Sequence, residues 1–516
     1  MHSTVTPKST LTIKWIVMLF LVWTAMCPAD VRADEDRDDR PKTATPIKHL
    51  VVIFDENNAF DHYFGTYPFA TNPPGEPEFH AKPDTPLPNG LTTALLQHNP
   101  NATNPFRLDP SQNETCDNDN HYSDEQKAFN GGLMNMFNIT SATSTGCTQF
   151  FAPNLAMGYY DGNTVTALWN YAQNYAMSDN FFDTEFGTTV MGHLNLISGQ
   201  THGTMSADVK GKIVNGSVIA NVQPALDDCP GAAPHVTMTG KNVGDLLTAA
   251  DVTWGWFYGD FAATSFSGGI ATCSTIYNSH YDPFQYYAST TNPHHLPPNS
   301  VDMIGKTDQA NHQYDLTSFW DALEEGHLPA VSFLKASVIS TGHPSDSSPL
   351  AEQEFLVNTI NELEKSRYWR DMAIVIAYDD SDGWYDHAMP PIVNQSNDPA
   401  NDALLGPTGL CGTPQPGAYL DRCGYGERLP FLAISPYAKR NYIDHSLNDT
   451  TSILRFIEYN WSLGAIGDPQ SFDVLASGTI LGMFDFDDHD DHRGDRDAES
   501  RRLFLDPTTG EPTDWW

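Results

Sequence analysis

Lys48 to Phe54 reads KHLVVIF and runs straight into Asp55-Glu56-Asn57. An unbroken apolar run rich in Val and Ile marks a strand buried on both faces, the kind that parallel sheets use. Similar runs recur at Val252–Tyr258 (VTWGWFY), Ala330–Leu334 (AVSFL), Met372–Ala377 (MAIVIA) and Leu429–Ile434 (LPFLAI). Between them lie segments with helical spacing. In Asn163–Ala176 the residues Val165, Leu168, Trp169 and Ala172 share one face, and Glu352–Leu363 and Thr451–Trp461 repeat the pattern. Buried strands alternating with amphipathic helices predict an α/β fold with a mostly parallel central sheet covered on both sides.

The chain has 516 residues, 40% hydrophobic and 11% aromatic, which suffices for a large core and excludes a disordered protein. Its 36 prolines and 37 glycines predict long ordered loops, the setting in which sites are built on a rigid scaffold. A formal net charge of −38 repels polyanions, so nucleic acid is excluded as a partner. An anionic substrate then needs a locally positive site, which a metal and histidines supply.

Residues 1–33 read as a secretory signal. Lys8 and Lys14 precede the apolar run Trp15–Met26, and Val31-Arg32-Ala33 offers a cleavage site. The run is too short to span a bilayer, so the reading is an exported protein, secreted or periplasmic, without a stable membrane anchor. A charged lead-in covers 34–45, and the catalytic domain covers 46–516 with loop insertions at about 70–120 and 205–300. Six cysteines follow the signal, an even number that in an exported chain predicts three disulfides. Sequence neighbours suggest Cys116–Cys147, Cys229–Cys273 and Cys411–Cys423, with other connectivities open. No CxxC pair occurs, which argues against a zinc–cysteine centre. The tract Asp485–Asp497 (DFDDHDDHRGDRD) reads as a solvated loop rather than a metal buffer.

Polar clusters follow the buried strands where ligands bind in open parallel sheets. The first is Asp55-Glu56-Asn57. The second is Asp379-Asp380, extended by Ser381, Asp382, Gly383, Asp386 and His387. The third is Phe186-Gly187-Thr188-Thr189, after an aromatic-rich segment. Acidic groups gathered at the ends of buried strands repel one another unless a cation lies between them. Carboxylate and carboxamide donors favour Mg, Ca or Mn, or a His-assisted Zn or Fe. A threonine hydroxyl is inert until a metal or base activates it, which gives Thr189 a role as nucleophile.

Several blocks resemble the bacterial phospholipase C and acid phosphatase (phosphoesterase) family. They are Ile47–Pro68 (IKHLVVIFDENNAFDHYFGTYP), Met157–Phe182, Phe186–Gly199 (FGTTVMGHLNLISG), Leu328–Pro344, Ala377–Pro391 (AYDDSDGWYDHAMPP) and Leu429–Trp461. The resemblance implies an alkaline-phosphatase-like α/β/α sandwich with smaller accessory elements. It implies metal ligands at Glu56, Asn57, Asp379 and Asp380, with Thr189 as ligand and nucleophile. It also implies phosphoryl contacts from His121, His280 and His343. Asp55 and Thr188 stand where relatives carry Gln and Pro, and Asp-Asp-Ser-Asp-Gly resembles the acid phosphatase-like branch.

These residues together imply a metal-dependent phosphoesterase that works through a phospho-threonine intermediate. The substrate is a small phosphate ester or, alternatively, a phospholipid diester. The second case calls for an exposed apolar rim, for which the Trp254–Tyr258 run is one source and a core strand the commoner role. A catalytically inactive metal-binding protein on the same scaffold is the non-enzymatic alternative.

Overall fold

The computed structural model describes residues 42–141, 143–144, 147–404, 411–486 and 500–513. The signal segment and residues 34–41 of the lead-in lie outside the described residues, as does the Asp/His tract from residue 487 onward. Among the described residues no helix is long and apolar enough to cross a membrane.

Eight strands form the central sheet: β1 (His49–Asp55), β2 (Ala176–Ser178), β3 (Trp254–Tyr258), β4 (Gln313–Asp315), β5 (Val331–Lys335), β6 (Met372–Tyr378), β7 (Phe431–Ile434) and β8 (Tyr442–Asp444). Their order across the sheet is β4-β3-β5-β1-β6-β7-β2-β8. All neighbours run parallel except at β7, which is antiparallel to both β6 and β2. The strands predicted from the apolar runs are therefore present, four of the five in parallel register, and Leu429–Ile434 supplies the antiparallel one.

The helices that matter for the site are α1 (Tyr122–Phe129), α2 (Thr166–Asn174), α3 (Thr189–Ser198), α4 (Val243–Ala249), α5 (Leu316–Glu325), α6 (Pro349–Lys365) and α7 (Thr451–Asn460). Alternation along β1 decides which layer each packs against. Val51 and Ile53 point into a core shared with Leu168 and Trp169 of α2, Phe319 of α5, and Leu356 and Ile360 of α6. Leu50, Val52 and Phe54 point the other way, into a core with Val190 and Leu194 of α3, Val243 of α4, and Ile453 and Phe456 of α7. This is the α/β/α layering expected from the sequence. The helix predicted at Asn163–Ala176 is shorter, because Ala176 already belongs to β2.

The run Trp254–Tyr258 is fully buried as β3, so it provides no apolar rim. The three disulfides are Cys116–Cys147, Cys229–Cys273 and Cys411–Cys423, with Cα separations of 5.9, 6.2 and 6.1 Å. These are the sequence-neighbour pairs.

Candidate metal and nucleophile site

β1 and β6 are adjacent and parallel, with Asp55 opposite Tyr378. Their polar extensions therefore emerge side by side: the Asp379 N–H donates to the Asp55 carbonyl at 3.2 Å, and the Asn57 N–H to Asp379 Oδ1 at 3.2 Å. Both chains turn sharply here through residues with positive φ, Asn57 at 55° and Asp382 at 53°. Asparagine and aspartate tolerate that region better than other non-glycine residues. The turns direct several polar side chains back towards the strand ends.

The third cluster does not end a strand of the central sheet. Phe181–Phe182 pairs with Asn448–Asp449 outside it, and Thr189 opens α3 after a turn. α3 lies so close to β6 that a Cβ on Gly192 would meet the Asp379 carbonyl oxygen at 2.0 Å. Glycine is thus required at that crossing. The approach brings the Thr189 hydroxyl to Asp380, to which it donates at 3.4 Å. Thr188 instead turns its hydroxyl towards the Met191 sulfur, 3.8 Å away. The positive end of the α3 dipole faces the same acids.

Glu56, Asn57, Asp379, Asp380 and Thr189 are all buried, each at most 2% exposed. Several polar atoms of these residues and of the adjoining Asp55 find no hydrogen-bond partner among the described residues: both oxygens of Asp55, Glu56 Oε2, Asn57 Oδ1 and Asp379 Oδ2. One ligand atom from each of Glu56, His193 and Asp379 lies within 4.8 Å of the others. Burial first, and then neighbouring carboxylates, push the carboxyls of Asp55, Glu56, Asp380 and Asp382 well above their usual range. Buried oxygens without partners are costly, and hard oxygen donors suit a divalent cation. The donor set fits a metal ion. Glu56, Asn57, Asp379 and Asp380, with Thr189, are the residues that would hold it.

The three histidines are placed differently. His343 contributes to a second acid–imidazole group with Asp117 and Asp382, one ligand atom from each lying within 4.8 Å of the others. His280 is held by Gln223 at 3.1 Å and Asn278 at 3.4 Å. Burial, followed by the charges of His343 and Lys335, lowers its pKa to about 3, so it stays neutral at physiological pH. His121 is exposed and tied to Asp119 at 2.6 Å, and its pKa is raised by that bond. It faces a cavity of about 260 Å³ rather than the carboxylate cluster. Its neighbour Asn120 reaches the cluster, donating to Asp380 at 2.8 Å.

Two residues near the cluster, Lys335 and His193, were not singled out from sequence. Lys335 ends β5 and is fully buried, with its ammonium on Glu56 Oε1 and over the Tyr281 ring at 4.7 Å. A lysine directly continuing the apolar AVSFL run was the available signal. His193 sits four residues after Thr189 on α3, bonded to the Thr189 carbonyl at 2.9 Å and 3.5 Å from Asp379. That i, i+4 spacing places both side chains on one helix face. Asp382 accepts from Asn57 at 3.4 Å and from the Asn118 N–H at 3.2 Å, linking the two groups. By contrast, Asp386 and His387 turn away from the site. Asp386 pairs with Arg428 at 2.9 Å, and His387 with Asp61 at 2.6 Å.

This arrangement of acids, amide and hydroxyl at the sheet's carboxyl edge accompanies a family assignment. The chain belongs to the Phosphoesterase family, which it matches over residues 47–464. It is a hydrolase acting on phosphoester bonds. Phospholipase C A of Mycobacterium tuberculosis strain CDC 1551 is 24% identical over 467 residues, covering 84% of this chain and 78% of that one. The non-hemolytic phospholipase C of Pseudomonas aeruginosa is 24% identical, covering 86% of this chain and 58% of that one. Non-specific phospholipase C6 of Arabidopsis thaliana is 25% identical, covering 77% and 63%. An alkaline phosphatase superfamily structure from Vibrio parahaemolyticus covers 73% of this chain and 77% of that one, at 10% identity and a TM-score of 0.29. That likeness is too slight to carry an argument.

Proposed function

We propose that this chain is an exported, metal-dependent hydrolase of phosphoric esters, acid phosphatase-like, in which Thr189 becomes transiently phosphorylated. The observation that carries the reading is the Thr189 hydroxyl donating to Asp380 inside a cluster of buried oxygens without partners. Thr189 Oγ forms a bond to phosphorus as the bond to the leaving alcohol breaks. Asp380 Oδ2 is already in place to accept the hydroxyl proton. A bound divalent cation supplies positive charge that favours the ionised hydroxyl and a phosphoryl oxygen beside it.

The chain's own residues do the remaining work. The α3 N-terminus directs its dipole at the developing negative charge. His343, between Asp117 and Asp382, stands beside the cluster to contact the phosphoryl group, and neutral His280 offers a hydrogen bond rather than a charge. The departing alcohol takes a proton from solvent; water then attacks phosphorus and releases phosphate, losing its own proton to solvent as Asp380 returns the first proton to Thr189 Oγ. Three disulfides within one chain agree with an oxidising, exported setting.

A second reading is a phospholipase C acting on phosphatidylcholine-type diesters, favoured by the names of the relatives that match most of the chain. Parallel assays with p-nitrophenyl phosphate and p-nitrophenyl phosphorylcholine separate the two. Turnover of the monoester alone supports the phosphatase reading, and preference for the diester replaces it with the second. No turnover of either, with metal bound, overturns both.

A further inference from the structure

Glu125 lies on α1, four residues after His121, and is 2% exposed. Its carboxylate accepts from two segments that are far apart in sequence. The Gly187 N–H donates to Oε2 at 2.7 Å, and the Ser381 hydroxyl donates to Oε1 at 2.7 Å. Gly187 is two residues before Thr189, at φ +130°, where a side chain is disfavoured. Ser381 follows Asp380 directly, and its oxygen in turn accepts from the Gly383 N–H at 2.9 Å. One side chain therefore spans the turn that presents the nucleophile and the turn that presents the acidic pair.

The surroundings make this an unusual choice for packing alone. Asp183 and Glu427 are also fully buried, and both act on or are acted on by the Glu125 charge. Gathering carboxyls in a dry interior opposes folding, and an apolar side chain would fill the space at less cost. What an apolar side chain cannot do is accept two hydrogen bonds, one from each turn.

We infer that Glu125 is a positioning residue that sets the separation between Thr189 and Asp379-Asp380 by accepting simultaneously from Gly187 and Ser381. The inference rests on the proposed roles of Thr189 and the acidic pair. It concerns hydrogen bonding, not charge. A glutamine in its place keeps both links, because its carbonyl accepts from Gly187 and its amide donates to Ser381, whose hydroxyl can rotate to accept.

The test compares Glu125→Gln with Glu125→Leu and Glu125→Ala in the full chain. Two readouts are taken: kcat and KM for p-nitrophenyl phosphate, and hydrogen exchange of the 184–189 segment by mass spectrometry. Expected for Leu and Ala is a kcat loss of roughly 10²-fold with KM little changed, as misplacement by about an ångström produces. Amide exchange in 184–189 should quicken while that of α6 stays as in the wild type. Glu125→Gln should stay within about threefold of wild type, since it preserves both hydrogen bonds. A Gln variant as impaired as the Ala variant overturns the inference by showing that the charge is what matters. Unchanged exchange in 184–189 in the Ala and Leu variants overturns it as well. If the wild type turns over no phosphoester, the proposed function fails, while the exchange readout still decides the role of Glu125.

Discussion

Lys335 Nζ bonds Glu56 Oε1 at the bottom of the site, both side chains being fully shielded from water, while Glu56 Oε2 has no partner among the described residues. The lysine thus occupies one oxygen of this carboxylate and leaves the other facing the Asp379 side. Removing one member of such a pair leaves a buried charge uncompensated. Glu56→Gln should therefore destabilise the protein by about 3–5 kcal/mol. Adding Lys335→Met should recover much of that stability without recovering metal binding. Urea denaturation of the single and double variants, with calorimetric titration of Mn²⁺, reads both effects. A double variant that still binds Mn²⁺ like the wild type would remove Glu56 from the ligand set.

Thr189→Ala should lower turnover by on the order of 10³-fold or more, with the melting temperature nearly unchanged. Thr188→Ala should retain most activity, because the Thr188 hydroxyl faces Met191 rather than the acids. Steady-state kinetics on both variants checks this pair. An active Thr189→Ala enzyme contradicts the nucleophile assignment.

Gly192→Ala tests the closeness of α3 and β6. With a Cβ 2.0 Å from the Asp379 carbonyl oxygen, the helix has to move outward, carrying Thr189 with it. Overpacking of this kind costs about 1–3 kcal/mol. Activity should fall further than stability alone explains. Thermal unfolding and kcat measured on the same preparation separate the two.

Stability should depend on pH in a direction opposite to that of an ordinary acidic protein. Burial raises Glu125 and Glu352 to about 8, Glu185 to about 7, and Asp421 to about 8. Raised carboxyls hold protons in the folded state that the unfolded chain releases. Their contribution is full below the unfolded carboxylate range and is lost as pH rises towards 8. The metal-free protein should therefore melt at lower temperature at pH 8 than at pH 5. Divalent cation should stabilise it more at pH 8, where the ligand carboxyls are ionised. Differential scanning fluorimetry with and without Mn²⁺ across that range provides the check.

Much of this architecture was legible before any coordinates. LVVIF and MAIVIA announce themselves as doubly buried strands because every position in them is apolar, and both lie at the centre of the sheet as β1 and β6. The polar residues directly after them had nowhere to go but the carboxyl edge. What the sequence concealed depends on packing between distant segments. Nothing local in FGTTVMGHLN says that Gly192 allows α3 to touch Asp379, or that Glu125 ties Gly187 to Ser381. The orientation of Asp386 and His387 was equally hidden, since only the fold brings Arg428 and Asp61 to them. Trp254–Tyr258 was ambiguous for a simple reason: an aromatic run serves a core strand, its commoner role, or a lipid rim, and burial alone decides.

The most direct test of the central claim is mass spectrometry of the enzyme quenched in acid during turnover of p-nitrophenyl phosphate with divalent metal present. The expected result is a peptide covering residues 186–199 that is one phosphoryl group heavier, with the modification on Thr189. Full turnover with that peptide never modified, or modified at another residue, would contradict the account.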